Sequence, residues 1–244
     1  MALPFLIRLP EVNSTSTWLK EHAEEVPLPA LAITDRQTGG RGQRGNSWEA
    51  EPGKNLTFSV IFRPEGITPA RQFFISEAVC LGVVDALRRH LPRPEEVRVK
   101  WPNDVYAGDK KICGILIEHS LESATAIRHT IAGIGVNVNQ ERFTSPAPNP
   151  VSVINITGKP TDKELLLEQI IDAMFANLDA DPAELHSRYI DTLWRGNGLH
   201  PFATPDGNVF SASIEAIDPA GALSLRHDDG SLTTHLFKEV QFIL

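Results

Sequence analysis

Two apolar rhythms alternate along this chain of 244 residues, and that alternation restricts the fold more than any other feature. Over 73–91 and again over 162–178 the apolar residues recur at helical spacing. In the second stretch Leu167, Ile170, Ile171, Met174 and Leu178 share one face. Short runs rich in β-branched and apolar residues lie at 5–9, 30–34, 56–62, 97–101, 112–118 and 130–138, and these read as strands. Long helices interleaved with strands predict an α/β (α+β) fold with a mixed sheet and flanking helices. Pro69 suits the first turn of the long helix. The stretch Asn13-Ser14-Thr15-Ser16-Thr17 offers several N-cap side chains for a helix beginning near Trp18, and Asp181-Pro182 starts another that ends near Trp194.

The rhythm changes after that helix. Asp206-Gly207, Pro219-Ala220-Gly221 and Asp228-Asp229-Gly230 punctuate short strands, the pattern of a small β-barrel or sandwich. The expected division is residues 1–194 and residues 195–244.

The net charge of −8 argues against general nucleic-acid affinity, which needs a basic footprint. The first eight residues are apolar but short and lack a basic start, so no signal peptide is expected. No run approaches the roughly 18–20 apolar residues of a membrane span, so no membrane partner is expected. Cys80 and Cys113 sit in apolar runs with no CxxC pair, which suits buried free thiols and a cytoplasmic setting.

Chemistry concentrates in three places. The first is GGRGQRGNSW at 39–48, where glycines alternate with Arg41 and Arg44 and the run ends on Trp48. Glycine allows close backbone approach, successive amides form anion-binding nests, and arginine supplies bidentate donors. A loop closing over an anionic, partly apolar substrate fits this pattern. A solvated surface loop and an arginine-glycine nucleic-acid segment are the alternatives. The second is KWPND at 100–104, where Pro102 stops a strand and presents Asn103 and Asp104, the latter an oxygen donor for Mg²⁺. An Asx turn that merely opens a hairpin is the alternative. Close behind, KKICGILIE at 110–118 sets Lys111 before an apolar strand interrupted by Gly114. The ammonium of Lys111 faces a pocket, or else tips a solvated turn. The third is GIGVNVN at 133–139, whose alternate glycines leave one strand face bare for a flat group such as a purine, or for tight packing.

Taken together, Ser14-Thr15-Ser16, Gln37 with GGRGQRGNSW, KWPND, KKICGILIE and GIGVNVN occur in an order and spacing that resembles the biotin–protein ligases. The resemblance covers roughly residues 5–180, and the β-rich tail resembles that family's SH3-like C-terminal domain. It implies a catalytic domain related to class II aminoacyl-tRNA synthetases and lipoate ligases. It also implies biotin and ATP as substrates with Mg²⁺, a biotinyl-5'-AMP intermediate, and a lysine of a biotin carboxyl carrier protein as acceptor. Lys111, Arg41 and Arg44 would be the catalytic cations. Ser14, Thr15, Ser16, Gln37, Arg41, Gly42, Gln43, Lys111 and Gly114 would surround biotin. Arg44, Trp48, Lys100, Asn103, Asp104 and Asn137 would lie at the nucleotide, with Asp104 the metal ligand. A homodimer is among the assemblies the resemblance allows.

Two departures accompany it. Ser16 stands where members often carry asparagine, and Gln43 stands where better-known members carry arginine, so Arg44 is the expected substitute. Bifunctional members have an N-terminal winged-helix domain. About a dozen residues precede Ser14 here, so neither DNA binding nor repression is expected. A lipoate or octanoyl transferase and a non-catalytic biotin-binding protein are the competing readings.

Overall fold

The computed structural model describes residues 4–40, 42, 47–145 and 147–243. The strands are β1 (Phe5–Val12), β2 (Ala30–Gln37), β3 (Leu56–Phe62), β4 (Val97–Lys100), β5 (Asp104–Ala107), β6 (Lys110–Ser123) and β7 (Ala126–Val136), followed by β8 (His200–Ala203), β9 (Val209–Ile217), β10 (Leu223–His227), β11 (Leu232–His235) and β12 (Gln241–Phe242). The helices are α1 (Thr15–Glu21), α2 (Phe73–Arg88), α3 (Val153–Thr157), α4 (Lys163–Leu178) and α5 (Pro182–Asp191). The first seven strands form one mixed sheet in the order β1-β2-β3-β7-β6-β5-β4, parallel only between β1 and β2. The last five form a second, antiparallel sheet, β11-β10-β9-β8-β12.

Strand alternation divides the large sheet into two faces. Leu56, Phe58, Val60 and Phe62 of β3 join the main core with α2, α4 and α5. Helices α2 and α4 approach closely at Gly82, where a Cβ would stand 2.8 Å from the Met174 backbone. The opposite face carries a smaller cluster of Leu19, Ala30, Ala32, Ile61 and Ile131 beneath α1. Thr57 and Ser59 are the polar members of that second face, and they mark where the apolar cover ends.

The helix starts obey their capping chemistry. The Asp162 and Asp181 carboxylates accept from the first-turn amides of α4 and α5, and Ser14 caps α1. Pro69 does not open α2. It opens a separate 3₁₀ turn, Pro69–Arg71, and α2 starts at Phe73. Helix α3 follows closely on Pro148 and Pro150, and a complete capping box at Ser152 and Asn155 makes so short a helix possible.

Residues 192–194 finish α5 and run alongside β4. The Val99 amide donates to Thr192 O and the Trp194 amide to Val99 O, which covers an otherwise open sheet edge. Arg195, at φ +54, then turns the chain toward the second sheet, and its guanidinium returns to Ile243 O. Both cysteines are buried free thiols, and burial pushes each up from the ordinary thiol range. Among the described residues no helix is long and apolar enough to cross a membrane.

Candidate functional site

Sheet register aligns the motif residues. Lys100 pairs with Asp104, Asp104 with Gly114, Gly114 with Gly135, and Gly135 with Thr57. Five adjacent strands thus contribute one residue each to a single cross-strand row, on the face that α1 leaves open. A cleft of about 560 Å³ lies over this row.

The glycines are the floor. The indole of Trp48 lies directly against them: a Cβ at Gly114 would stand 2.8 Å from Cζ3, and one at Gly135 would stand 2.5 Å from Cε2. The flat group on this strand face is therefore the protein's own tryptophan, and the expectation of a purine resting directly on the glycines is corrected. Gly133 serves a different neighbour, since a Cβ there would collide with Ser16 Oγ.

One side of the cleft is a hydroxyl cluster. Gln37 Oε1 accepts from the Thr15 amide at 3.0 Å, and Ser59 Oγ is 2.7 Å from Thr15 Oγ1 and 2.8 Å from Ser16 Oγ. Ser59 is fully buried on β3 and was invisible in the sequence, where it interrupts an apolar strand without any local signal. These groups suit a neutral ligand rich in donors and acceptors.

The other side is cationic. Lys111 Nζ lies 2.7 Å from Asp104 Oδ2. Lys100 Nζ donates to Tyr106 Oη at 3.1 Å and lies 5.0, 5.6 and 5.8 Å from the ring centroids of Tyr106, Trp194 and Phe242. Burial holds the Lys100 ammonium below the usual lysine range; Asp104 opposes this and Lys111 adds to it. Among the described residues Lys100 has no ion-pair partner, because the acid opposite it in register is taken by Lys111. A half-buried cation without a counter-carboxylate beside a cleft is the signature of an anion site.

Two buried polar atoms of cleft-lining residues lack partners among the described residues: the donor Trp48 Nε1 and the acceptor Asn137 Oδ1. The Asn137 amide group is fixed by its other end, Nδ2 donating to Val151 O at 3.0 Å. Leaving such groups unpaired costs about 1–3 kcal/mol each, which a bound ligand can recover.

Ser14, Thr15, Ser16, Gln37, Gly42, Trp48, Lys100, Asp104, Lys111, Gly114 and Asn137 all line this cleft. Asn103 does not. It is buried, and its Nδ2 donates to Ile115 O at 2.9 Å, so the side chain secures the turn between β4 and β5 and is not presented to a ligand. Arg41, Gln43 and Arg44 lie outside the described residues. Tyr106, Phe237, Lys238 and Gln241 line the cleft without having been marked in the sequence, the last three arriving from the second sheet.

The glycine–arginine loop is pinned at its neck. The Trp48 amide donates to Gly40 O at 3.0 Å, and the Glu49 carboxylate accepts from the amides of Thr144 and Ser145 at 2.9 and 2.7 Å. Gln140 completes the clamp, donating to Glu49 and accepting from the Glu51 amide and Asn55. Burial works to raise the Glu49 carboxyl, but hydrogen bonds from Ser145 and Thr144 outweigh it and hold the group below the usual glutamate range. A depressed folded-state value means the clamp stabilises fully above the unfolded glutamate value, about 4.3, and is lost as pH falls through the folded value. Hydrogen-exchange protection of the Thr144 and Ser145 amides, corrected for intrinsic exchange, is therefore expected to hold down to that region and fall below it. Glu49→Gln should weaken protection at neutral pH and flatten the profile. An unchanged profile in the variant would remove Glu49 from the clamp.

The second sheet and α5 support the lysine side of the cleft. Tyr189 Oη donates to Pro102 O at 2.7 Å, and Trp101 Nε1 donates to Gly221 O at 3.1 Å. Two adjacent residues of the Lys100–Asp104 turn, Trp101 and Pro102, are thus held by elements distant in sequence.

Comparison with known proteins gives a consistent result. Residues 9–137 match the model of the biotin/lipoate A/B protein ligase family. A biotin–[acetyl-CoA-carboxylase] ligase of Paracoccus denitrificans is 30% identical over 232 residues, covering 91% of this chain and 94% of the relative. The bifunctional ligase/repressor BirA of Escherichia coli is 30% identical over 226 residues, covering 90% of this chain and 68% of the relative. Among solved structures, a biotin protein ligase from Aquifex aeolicus in complex with biotin and ATP superposes with a TM-score of 0.81 at 26% identity, covering 98% and 99% of the two chains.

Proposed function

The chain belongs to the biotin/lipoate A/B protein ligase family, and from that premise we propose that it is an ATP-dependent biotin–protein ligase, which makes biotinyl-5'-AMP and passes the biotinyl group to a lysine of a biotin carboxyl carrier protein. The observation that carries the reading is the cleft's polarity: neutral hydroxyls on one side and cations on the other, across one sheet face. The ureido ring of biotin suits the Ser14, Thr15, Ser16, Gln37 and Ser59 side, and its carboxylate then points toward Lys111 and Lys100.

In the first half-reaction a biotin carboxylate oxygen attacks the α-phosphorus of ATP. The bond to the bridging oxygen breaks and pyrophosphate leaves with the electron pair. Two anions must meet, so the protein's work is neutralisation and alignment. Lys111, Lys100, Arg41 and Arg44 supply the positive charge, and Asn137 Oδ1 and Trp48 Nε1 are the free groups for the nucleotide. In the second half-reaction the acceptor lysine attacks the anhydride carbonyl and AMP departs. No protein nucleophile enters either step. Trp48, lying over the glycine strands, keeps water from the hydrolysable anhydride.

A resident Mg²⁺ does not fit the residues present. Among the described residues no three His, Cys, Asp or Glu side chains cluster to hold a metal ion. Asp104 is a single carboxylate already paired with Lys111. The ion belongs with MgATP as substrate, bound through the phosphates. The domain division at 194/195 is part of the same proposal, with the second sheet contributing Phe237, Lys238 and Gln241 to the catalytic cleft.

The lipoate reading is not favoured, because the Paracoccus denitrificans relative at 30% identity is named a biotin–[acetyl-CoA-carboxylase] ligase and the Aquifex aeolicus structure a biotin protein ligase. The purified protein is expected to exchange labelled pyrophosphate into ATP when biotin and MgATP are present. Exchange with lipoate but not biotin would transfer the reading to the lipoate branch, and exchange with neither would leave a binding protein.

A further inference from the structure

We infer that Lys238, carried by the second sheet, binds the β- and γ-phosphates of the nucleotide and stabilises pyrophosphate as it leaves; this rests on the ligase reading above. Residues Leu236 to Glu239 form a tight turn closed by the Glu239 amide donating to Leu236 O at 3.0 Å. The Glu239 carboxylate closes it a second time by accepting from the Leu236 amide at 2.7 Å. Lys238 occupies the third position of this turn with φ +71. That corner, as in type II turns, is one that glycine or asparagine fills at little steric cost. A lysine there is one of only two non-glycine residues with positive φ among the described residues.

The turn is closed by two hydrogen bonds and borders the cleft. Phe237 packs edge-on against Trp101 with ring centroids 6.1 Å apart, and Trp101 directly follows Lys100. Lys238 lines the same cleft as Lys100 and Lys111, but from the second sheet. Backbone strain kept at a ligand cleft, where glycine would relieve it, points from geometry to function. The ligand chemistry follows from what else is present. Lys100 and Lys111 stand on the catalytic sheet where the reacting α-phosphorus meets the carboxylate. The remaining negative charge of a triphosphate lies beyond that point and increases on the leaving group as the α-phosphorus–oxygen bond breaks. A lysine ammonium from a second wall meets that need as a point charge.

The test compares Lys238→Gly with wild type and Lys238→Arg. Glycine suits the left-handed corner, so the variant should melt at or above the wild-type temperature. The KM for MgATP in biotin-dependent pyrophosphate exchange is expected to rise about tenfold or more, the scale of one charge-assisted hydrogen bond, with the KM for biotin unchanged. Calorimetry on biotin-saturated protein should show the same loss for the magnesium complex of α,β-methylene-ATP, which cannot release pyrophosphate, and none for AMP. Arginine should recover most of the affinity. An unchanged MgATP KM, an equal loss for AMP, or a change confined to the KM for the carrier domain would each overturn the inference. If the wild type shows no biotin-dependent exchange, the ligase reading fails, and the calorimetric pair still decides whether Lys238 holds the outer phosphates.

Discussion

Lys100→Met is expected to slow biotin-dependent pyrophosphate exchange by about 10²–10³-fold, the usual cost of losing one preorganised transition-state contact, while leaving the protein at least as stable as wild type. The two halves of this expectation have one cause. The Lys100 ammonium is half-buried among Tyr106, Trp194 and Phe242 and is held below the usual lysine range, chiefly by that burial. For a base, a folded-state value below the unfolded one means that the fold favours the neutral amine. At neutral pH the charge therefore opposes folding, and the penalty fades only as pH rises through the folded value. Methionine keeps the stem's packing and removes the charge. A group that costs stability but lines the cleft is what a substrate-binding cation looks like. Lys111→Met differs: it leaves Asp104 without the partner now 2.7 Å away, so its loss of activity is expected to come with a modest loss of stability. Exchange rates and thermal melts of the two variants separate the roles. If Lys100→Met retains exchange within about threefold, a difference of under 1 kcal/mol, the phosphate role passes to Lys111 and the arginines of the loop.

That distinction was not legible in the sequence, which set Lys111 ahead of Lys100. A lysine before an apolar strand and a lysine ending one look equally functional in one dimension. What separates them is the aromatic surround of Lys100, built from Trp194 and Phe242, whose proximity only the tertiary fold creates. Much else could be read directly. The 56–62 strand is observed with those bounds, and the 162–178 periodicity yields α4 with Asp162 as its cap. Both rest on local rules of spacing and capping that tertiary contacts did not override. The misses share the opposite origin. Asn103 has the polarity of a ligand contact, but a tight turn directs it back onto Ile115 O. Ser59 carries no motif, and its role exists only because α1 brings Thr15 and Ser16 over β3. Lys238 is an ordinary charged turn residue until the second sheet is docked. The glycine–arginine loop was the first feature to suggest chemistry, and among its described residues Trp48 acts by filling the face that the glycine strand leaves bare.

The same filled face makes Gly135→Ala a severe change for so small a group. Alanine in place of glycine within a strand would by itself favour folding by about 0.5–1 kcal/mol, since glycine loses more backbone freedom. Here the added Cβ would stand 2.5 Å from Trp48 Cε2, well inside van der Waals contact, with β7 held on both sides by β3 and β6. The strand is not free to yield, so the indole must. Overpacking of this kind costs about 1–3 kcal/mol, which leaves a small net destabilisation. The catalytic effect is expected to be larger. Displacing Trp48 shifts its Nε1, strains the neck bond from its amide to Gly40 O, and opens the cleft to water. Misplacement by about 1 Å is enough for roughly a 10²-fold loss. Exchange activity should fall by at least that factor, and biotinyl-adenylate should hydrolyse in solution faster than it is transferred. Trp48→Ala in the same background should leave the double variant about 0.5–1 kcal/mol more stable than Trp48→Ala alone, a coupling of about 1–3 kcal/mol between the two positions, yet leave activity low. Additive stabilities would place the indole elsewhere in solution. Recovered activity in the double variant would show that Trp48 obstructs the cleft and is not one of its working walls.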